Sequence, residues 1–392
     1  MIDFTNCERN RFRAYGGANG NKINIRYQGK SYMLKFPPKP RRGGEMSYTN
    51  GCVSEYLGCH IFASLEFRVL ETLLGTYTDN KNKEKLVVAC GDFTEGGKQL
   101  IEFAKLKNTC IDSELNGYGT ELSTILEAIE EQTLLPPKVL REFFWDQFIA
   151  DAFLGNFDRH NGNWGVLVDE NLGTAELAPV YDCGSCLYPQ LSEEGMRAVL
   201  DDPEEIRQRI YVFPSSAIKE DGVKIPYAAY ISSLKNPECN AALRRIAPRI
   251  DMDAIQKIIE DTPSLSGLQR EFYLTMLQER KEQILDSSLE KLLNGGAGRG
   301  TTGFPTTFLK RNTQQQRPRR STVRPFPMPA SPNPRGPPCP APCAPVSAFT
   351  PPDGETTPTP RPAPLWGLCA GRVPRAKIRP PRRRWRVDIR AG

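Results

Sequence analysis

Histidine is nearly absent, with two residues in 392, and the eleven cysteines are scattered. Only Cys183-x-x-Cys186 has the spacing of a metal or redox pair. With no second Cys-x-x-Cys to complete a tetrahedral set, structural zinc is not expected, and the thiols read as reduced residues of a cytosolic protein. No run approaches the ~20 apolar residues that a membrane-spanning helix requires. Residues 1–9 carry charge where a secretory leader would need an apolar stretch. Neither a leader nor a membrane span is expected, and the body of the chain is expected to be soluble.

Acidic residues are scarce beyond position 294, where 3 Asp+Glu face 18 Lys+Arg, a net of +15. The remaining 43 Asp+Glu and 34 Lys+Arg give residues 1–294 a net of −9. Proline follows the same divide, with 21 of its 34 copies in the basic segment. Proline removes backbone donors, and a segment this poor in apolar side chains cannot offset the entropy of ordering, so 295–392 is expected to be disordered. Its clusters, Arg317, Arg319 and Arg320, then Arg382, Arg383, Arg384, Trp385 and Arg386, have the charge and stacking surface to bind nucleic acid or acidic surfaces. A solubilising tail is the simpler reading.

Residues 22–27 and 31–36 alternate polar and apolar side chains around a Gln28-Gly29-Lys30 turn, which predicts two paired strands. Pro37-Pro38-Lys39-Pro40 stops the sheet. Val53, Leu57, Ile61 and Leu65 then recur at near-helical spacing. Residues 67–74 and 85–90 read as further strands. Beyond about residue 107 the texture becomes helical, over 121–131, 136–156, 193–211, 239–248, 252–260 and 265–294. The last reads as one long amphipathic helix stopped by Gly295-Gly296. Short strands fit only near 164–169 and 176–180. The expected fold is α+β, two-lobed and protein-kinase-like. A small β-rich nucleotide-binding lobe (1–107) precedes a larger helical catalytic lobe (108–294) and the tail (295–392).

The polar stretch Asp158-Arg159-His160-Asn161-Gly162-Asn163 follows an apolar helix and precedes a strand, a junction where a rigid scaffold can position polar groups. Phosphoryl transfer needs a carboxylate to accept the attacking hydroxyl's proton and an amide oxygen to hold Mg²⁺. Asp158 and Asn163 have those properties and the five-residue spacing of the kinase catalytic loop. Asp182, at the end of a short apolar stretch and two residues before Gly184, suits a second ligand for Mg²⁺ or Mn²⁺. Upstream, Lys35 lies on a strand as a phosphate-binding lysine would, and Glu55 on the next helix can orient it. Gly16, Gly17, Ala18, Asn19, Gly20, Asn21 and Lys22 form a candidate phosphate cradle. Ala89 and Gly91 lie where backbone groups would meet the adenine edge of ATP.

Each piece alone has a duller explanation. A Gly-rich stretch is more often a turn, a strand lysine is more often solvated, and Asp and Asn bend loops routinely. His160 reads better as a structural hydrogen-bonding residue than as a general base, and the cysteines of 183–186 as buried small residues. Order shifts the balance, because every part occurs once and in the sequence that a kinase requires.

At these residues, namely 17–22, 32–40, 54–56, 154–164 and 178–187, the chain resembles the HipA-like kinases over 1–294. The resemblance implies a Ser/Thr protein kinase using ATP and Mg²⁺, with Asp158 as catalytic base and Asn163 and Asp182 as metal ligands. Lys35 and the 17–22 loop would hold the phosphates. One departure stands out: the regulatory serine of HipA proteins, three residues before the position of Gly17, is replaced here by Ala14. The Asp158-to-Asn163 string also resembles the catalytic loop of phosphatidylinositol kinases, which keeps a lipid acceptor as the alternative to protein. A nucleic-acid-binding regulator acting through the basic tail is the other.

Overall fold

The computed structural model describes residues 1–13, 22–38, 49–111 and 115–295. The expected phosphate cradle at 16–21, Ala14, and the basic tail with its expected nucleic-acid or acidic-surface contacts lie outside them.

The amino-terminal part comprises β1 (Ile2–Asp3), β2 (Glu8–Asn10), β3 (Lys22–Tyr27), β4 (Lys30–Lys35), helix α1 (Gly51–Ser64), β5 (Thr72–Thr78) and β6 (Glu84–Gly91). Its six strands form one sheet in the order β1-β5-β6-β4-β3-β2. The β3–β4 turn places Gln28 at φ 48° and Gly29 at φ 81°, the two positive angles that match a tight hairpin to strand twist. Because side chains alternate across a strand, β4 sorts its residues between two faces. Tyr32 and Leu34 join Phe4, Ile25 and Val87 in an outer apolar cluster. Met33 and Lys35 take the opposite face, toward α1, whose Leu57, Ile61 and Phe62 belong to the main core.

The second part begins with β7 (Lys98–Glu102), α2 (Phe103–Cys110), α3 (Leu122–Glu131), α4 (Pro137–Leu154), β8 (Gly165–Asp169) and β9 (Thr174–Leu177). Strands β7, β8 and β9 form an antiparallel sheet in that order. After it come α5 (Glu193–Asp201), α6 (Pro203–Tyr211), the hairpin β10 (Lys219–Glu220) and β11 (Val223–Lys224), α7 (Tyr227–Ser233), α8 (Pro237–Ile246), α9 (Met252–Asp261) and α10 (Gly267–Arg280). A π-helical segment (Lys281–Asp286) leads into α11 (Ser287–Asn294). Proline opens α4 without loss, since the first N–H groups of a helix have no partner inside it. Gly155 ends α4 at φ 65°, a left-handed cap that turns the chain sharply into residues 156–163. Among the described residues no helix is long and apolar enough to cross a membrane.

Several boundaries differ from expectation. The strand expected at 67–74 is Thr72–Thr78 instead. Phe67, Val69 and Leu70 owe their apolar character to the main core, and Val69 and Leu70 meet Val180 in an isolated bridge outside the strands. The helix expected over 193–211 is two helices. Asp202 caps the second by accepting from Glu204 N at 2.9 Å, and Pro203 has no N–H with which to continue the first. The helix expected over 265–294 follows that course but contains the π-helical turn. Strands β1, β2, β7, β10 and β11 and helices α2 and α7 lie outside the expected elements.

Candidate active site

Three segments distant in sequence meet through charged side chains. Lys35 Nζ lies 3.0 Å from Glu55 Oε2 and 3.0 Å from Asp182 Oδ1. The pleat of β4 aims Lys35 at α1, and Glu55 sits on the buried face of that helix, 1 % exposed. Burial alone would pull the Lys35 ammonium down. The Asp182 and Glu55 carboxylates outweigh that and hold it well above its ordinary range. Lys35 in turn holds Asp182 down at about 2, with Lys22 and Arg159 adding to the effect, whereas burial raises Glu55 against the pull of Lys35. Lys22 stands directly opposite Lys35 in the β3–β4 register.

Asp182 adopts φ 57°, a left-handed conformation that a non-glycine residue holds only when its surroundings impose it. The next segment lies flat on α1 because Gly58 has no side chain. A Cβ there would sit 2.7 Å from Cys183 Cβ. Cys183 and Cys186 are fully buried free thiols in a turn closed by Cys186 N donating to Cys183 O at 3.0 Å.

The loop after α4 is fastened by its own polar groups. Asn156 Nδ2 donates to Asp151 Oδ1 at 2.8 Å, and Asn156 Oδ1 accepts from Asp158 N at 3.1 Å. Asp158 O accepts from His160 N and from Asn163 Nδ2, both at 2.8 Å. That bond fixes the Asn163 amide and leaves its Oδ1 as the atom able to meet a cation. His160 Nδ1 accepts from Gly162 N at 3.0 Å, so this nitrogen is occupied in shaping the loop. Burial pushes the Asp158 carboxyl above its usual range, His160 opposes this, and Asp182 is close enough to add to it.

From the sequence Arg159 reads as no more than a loop residue, yet it ties these parts together. It points inward, 5 % exposed, with Nε 3.0 Å from Asp151 Oδ2 and Nη2 3.2 Å from Asp151 Oδ1. Its Nη1 donates to Asn163 O at 2.9 Å and to Tyr181 O at 2.6 Å, which couples the Asn163 loop to the residue before Asp182. Tyr181 OH completes the link by donating to Gly162 O at 2.9 Å. A signal for this existed: Asp151 stands in the apolar run Phe148-Ile149-Ala150-Asp151-Ala152-Phe153, and a buried carboxylate demands a partner.

Ala89 and Gly91 do not offer the groups expected of them. Ala89 is inside the sheet, paired with Leu34 on β4 and Leu73 on β5, and Gly91 N donates to Glu71 O at 2.7 Å. The Ala89 backbone is therefore inside the ladder and the Gly91 N–H is already taken, which removes the donors expected to meet adenine.

No family model matches the chain. Over 286 residues it is 52 % identical to the serine/threonine-protein kinase CtkA of Helicobacter pylori, a match covering 73 % of this chain and 86 % of that protein. The crystal structure of the H. pylori proinflammatory kinase CtkA superposes with a TM-score of 0.71 at 49 % identity. It covers 76 % of this chain and 100 % of that one. HipA, in a Shewanella oneidensis complex with HipB and operator DNA, matches at a TM-score of 0.45 and 17 % identity, over 72 % of this chain and 68 % of that one.

Proposed function

This chain belongs to the CtkA family of serine/threonine protein kinases, and from that premise we propose that it transfers the ATP γ-phosphoryl group to a protein hydroxyl with Asp158 as base. It is an enzyme of the kinase class with the two-lobed α+β fold of that family. The observation that carries the site assignment is the convergence of Lys35, Glu55 and Asp182 at 3.0 Å contacts, joined by Arg159 to the loop bearing Asp158 and Asn163.

Asp158 accepts the proton of the attacking hydroxyl, and its raised carboxyl is a stronger base than an exposed aspartate. Asn163 Oδ1 and the Asp182 carboxylate are hard oxygen donors, and among the described residues no cluster of three or more His, Cys, Asp or Glu competes for a metal ion. Such a pair suits Mg²⁺, or Mn²⁺ in its place, which keeps waters and phosphate oxygens in its shell and neutralises phosphate charge when bound. Lys35, oriented by Glu55, offers its ammonium to the α- and β-phosphates, and the 17–22 loop is assigned to the same task. The lobe limit expected at 107/108 falls inside α2, and β7 pairs with β8, so the proposed boundary between the lobes lies between Gly91 and Lys98, with the limit before the tail kept at 294/295.

The test is phosphate transfer from ATP with Mg²⁺ to a mixed Ser/Thr protein substrate and, separately, to a phosphoinositide. Asp158→Asn should lower transfer to protein ~10²–10⁴-fold, and Asp182→Asn should abolish it. Full activity in either variant refutes the assignment, and transfer confined to the lipid refutes the protein acceptor.

A further inference from the structure

The hairpin β10–β11 is held beside the catalytic loop more firmly than its length explains. At its tip, Asp221 (φ 52°) and Gly222 (φ 77°) donate their N–H groups to Glu121 Oε1 and Oε2, at 2.6 and 3.1 Å. At its base, Lys219 N donates to Thr120 O at 2.8 Å, and Thr120 Oγ1 donates to Ala217 O at 2.8 Å. The 117–121 segment is itself fixed to the catalytic loop, since Asn161 Nδ2 donates to Gly117 O at 2.8 Å and Gly119 O at 2.7 Å. Just beyond the hairpin, Tyr227 OH donates to Asn156 O at 2.7 Å, two residues before Asp158. The hairpin and Asp158 therefore share one rigid frame.

What this frame presents is an exposed aliphatic residue, Val223, 69 % exposed, and an exposed cation, Lys224, whose charge reaches the Asp158 carboxylate. From Lys224 a groove of about 510 Å³ runs over Val223, Pro226, Ala229 and Tyr230 and also meets Lys235. The groove wall carries two cations against one carboxylate, Glu220, and Lys224 is the cation at its hairpin end. The chain's own tail, with a net of +15, is a poor electrostatic match for that end.

Resting on the kinase reading above, we infer that this groove seats an extended segment of the acceptor protein, and that Lys224 selects a carboxylate side chain close to the phosphorylated Ser or Thr. An ion pair acts over about a Debye length, ~10 Å, which about three extended residues span. The selected Asp or Glu thus lies within about three positions of the acceptor. An apolar side chain farther along rests on Val223, Pro226 and Ala229.

The experiment compares the full chain with Lys224→Glu and Lys224→Arg on paired Ser peptides whose flanking residues are Asp or Lys. The parent should favour the Asp peptide roughly three- to tenfold in kcat/KM, mostly through KM for peptide, as expected of one exposed ion pair and its reversal. Lys224→Glu should invert that preference and Lys224→Arg should keep it. A parent that uses both peptides equally, or a Lys224→Glu variant with the parent's preference, overturns the inference while leaving the kinase site intact. Transfer that survives Asp158→Asn overturns the site reading on which it rests.

Discussion

Asp151 lies outside the candidate catalytic set, yet its removal should disable the protein, because Arg159 depends on it. Asp151 is 1 % exposed and receives two guanidinium bonds, at 3.0 and 3.2 Å, while the same guanidinium holds Asn163 O and Tyr181 O. Asp151→Ala leaves a buried cation without its counter-charge, a loss of about 3–5 kcal/mol. At roughly 2–4 °C per kcal/mol for a protein of this size, the melting temperature should fall about 6–20 °C. Replacing both partners, as Asp151→Leu with Arg159→Met, removes the uncompensated charge, and most of that stability should return. Activity should not return with it. Without the guanidinium the loop keeps only the Tyr181 OH bond to Gly162 O, Asn163 O loses its donor, and misplacement of about 1 Å costs on the order of 10²-fold. Thermal unfolding followed by circular dichroism, beside ATP-dependent transfer to protein, separates the two effects. If Asp151→Ala melts within about 2 °C of the parent, the buried pair does not bear on stability as argued. If the double variant recovers full activity, the link between Asn163 and Tyr181 has no part in positioning the site.

Two further substitutions test separate steps. Gly58→Ala places a methyl group 2.7 Å from Cys183 Cβ. Overpacking of about 1–3 kcal/mol then outweighs the gain in helix propensity of about 1 kcal/mol, so both the melting temperature and kcat should drop; an unchanged kcat would show that the 183–186 turn tolerates displacement. Asp79 is held at about 2 by Lys85 Nζ and by the N–H groups of Lys81 and Lys83. A carboxyl depressed on folding stabilises above its unfolded value, about 3.9, and loses that contribution as pH falls toward 2. Asp79→Asn should therefore be less stable than the parent at neutral pH, with the difference shrinking between about pH 4 and 2; a difference constant across that range would contradict the assigned cause.

Much of the amino-terminal sheet was legible because its information is local. Alternation over 22–35 and a Gln28-Gly29 turn with two positive φ angles give both the strands and the face on which Lys35 must lie. Strand β7 was not legible, since Lys98-Gln99-Leu100-Ile101-Glu102 alternates weakly and owes its conformation to β8, more than sixty residues away. Residues 67–71 misled for the opposite reason: their apolar pattern serves tertiary burial rather than a sheet face. In the site, residue types and order pointed to Asp158, Asn163 and Asp182, but the orientation of Arg159 was hidden. A loop arginine defaults to solvent, and only the buried Asp151 one helical turn before Gly155 indicates otherwise.

The two acids assigned to catalysis also differ in a way that composition could not show. Asp158 and Asp182 are the same residue type and near enough to influence each other, yet their surroundings drive them apart. Burial raises Asp158, with no cation bonded to its carboxylate among the ion pairs of the described residues. Asp182 has Lys35 at 3.0 Å and is lowered to about 2. A metal ligand needs a carboxylate that stays ionised, and a general base needs one that can take up a proton. When neighbouring acids are shifted in opposite directions, the shifts allot those roles, and here they support Asp158 as base and Asp182 as ligand. Lys35 is thereby given a second task besides binding phosphate. It leaves Asp158 as the more basic of the two, and as a cation 3.0 Å from Asp182 Oδ1 it competes with a metal ion for that carboxylate, so Lys35→Met should tighten metal binding while raising KM for ATP. Titration of Mn²⁺ binding by electron paramagnetic resonance would read the first effect in the absence of turnover, and an unchanged affinity would confine Lys35 to the phosphates.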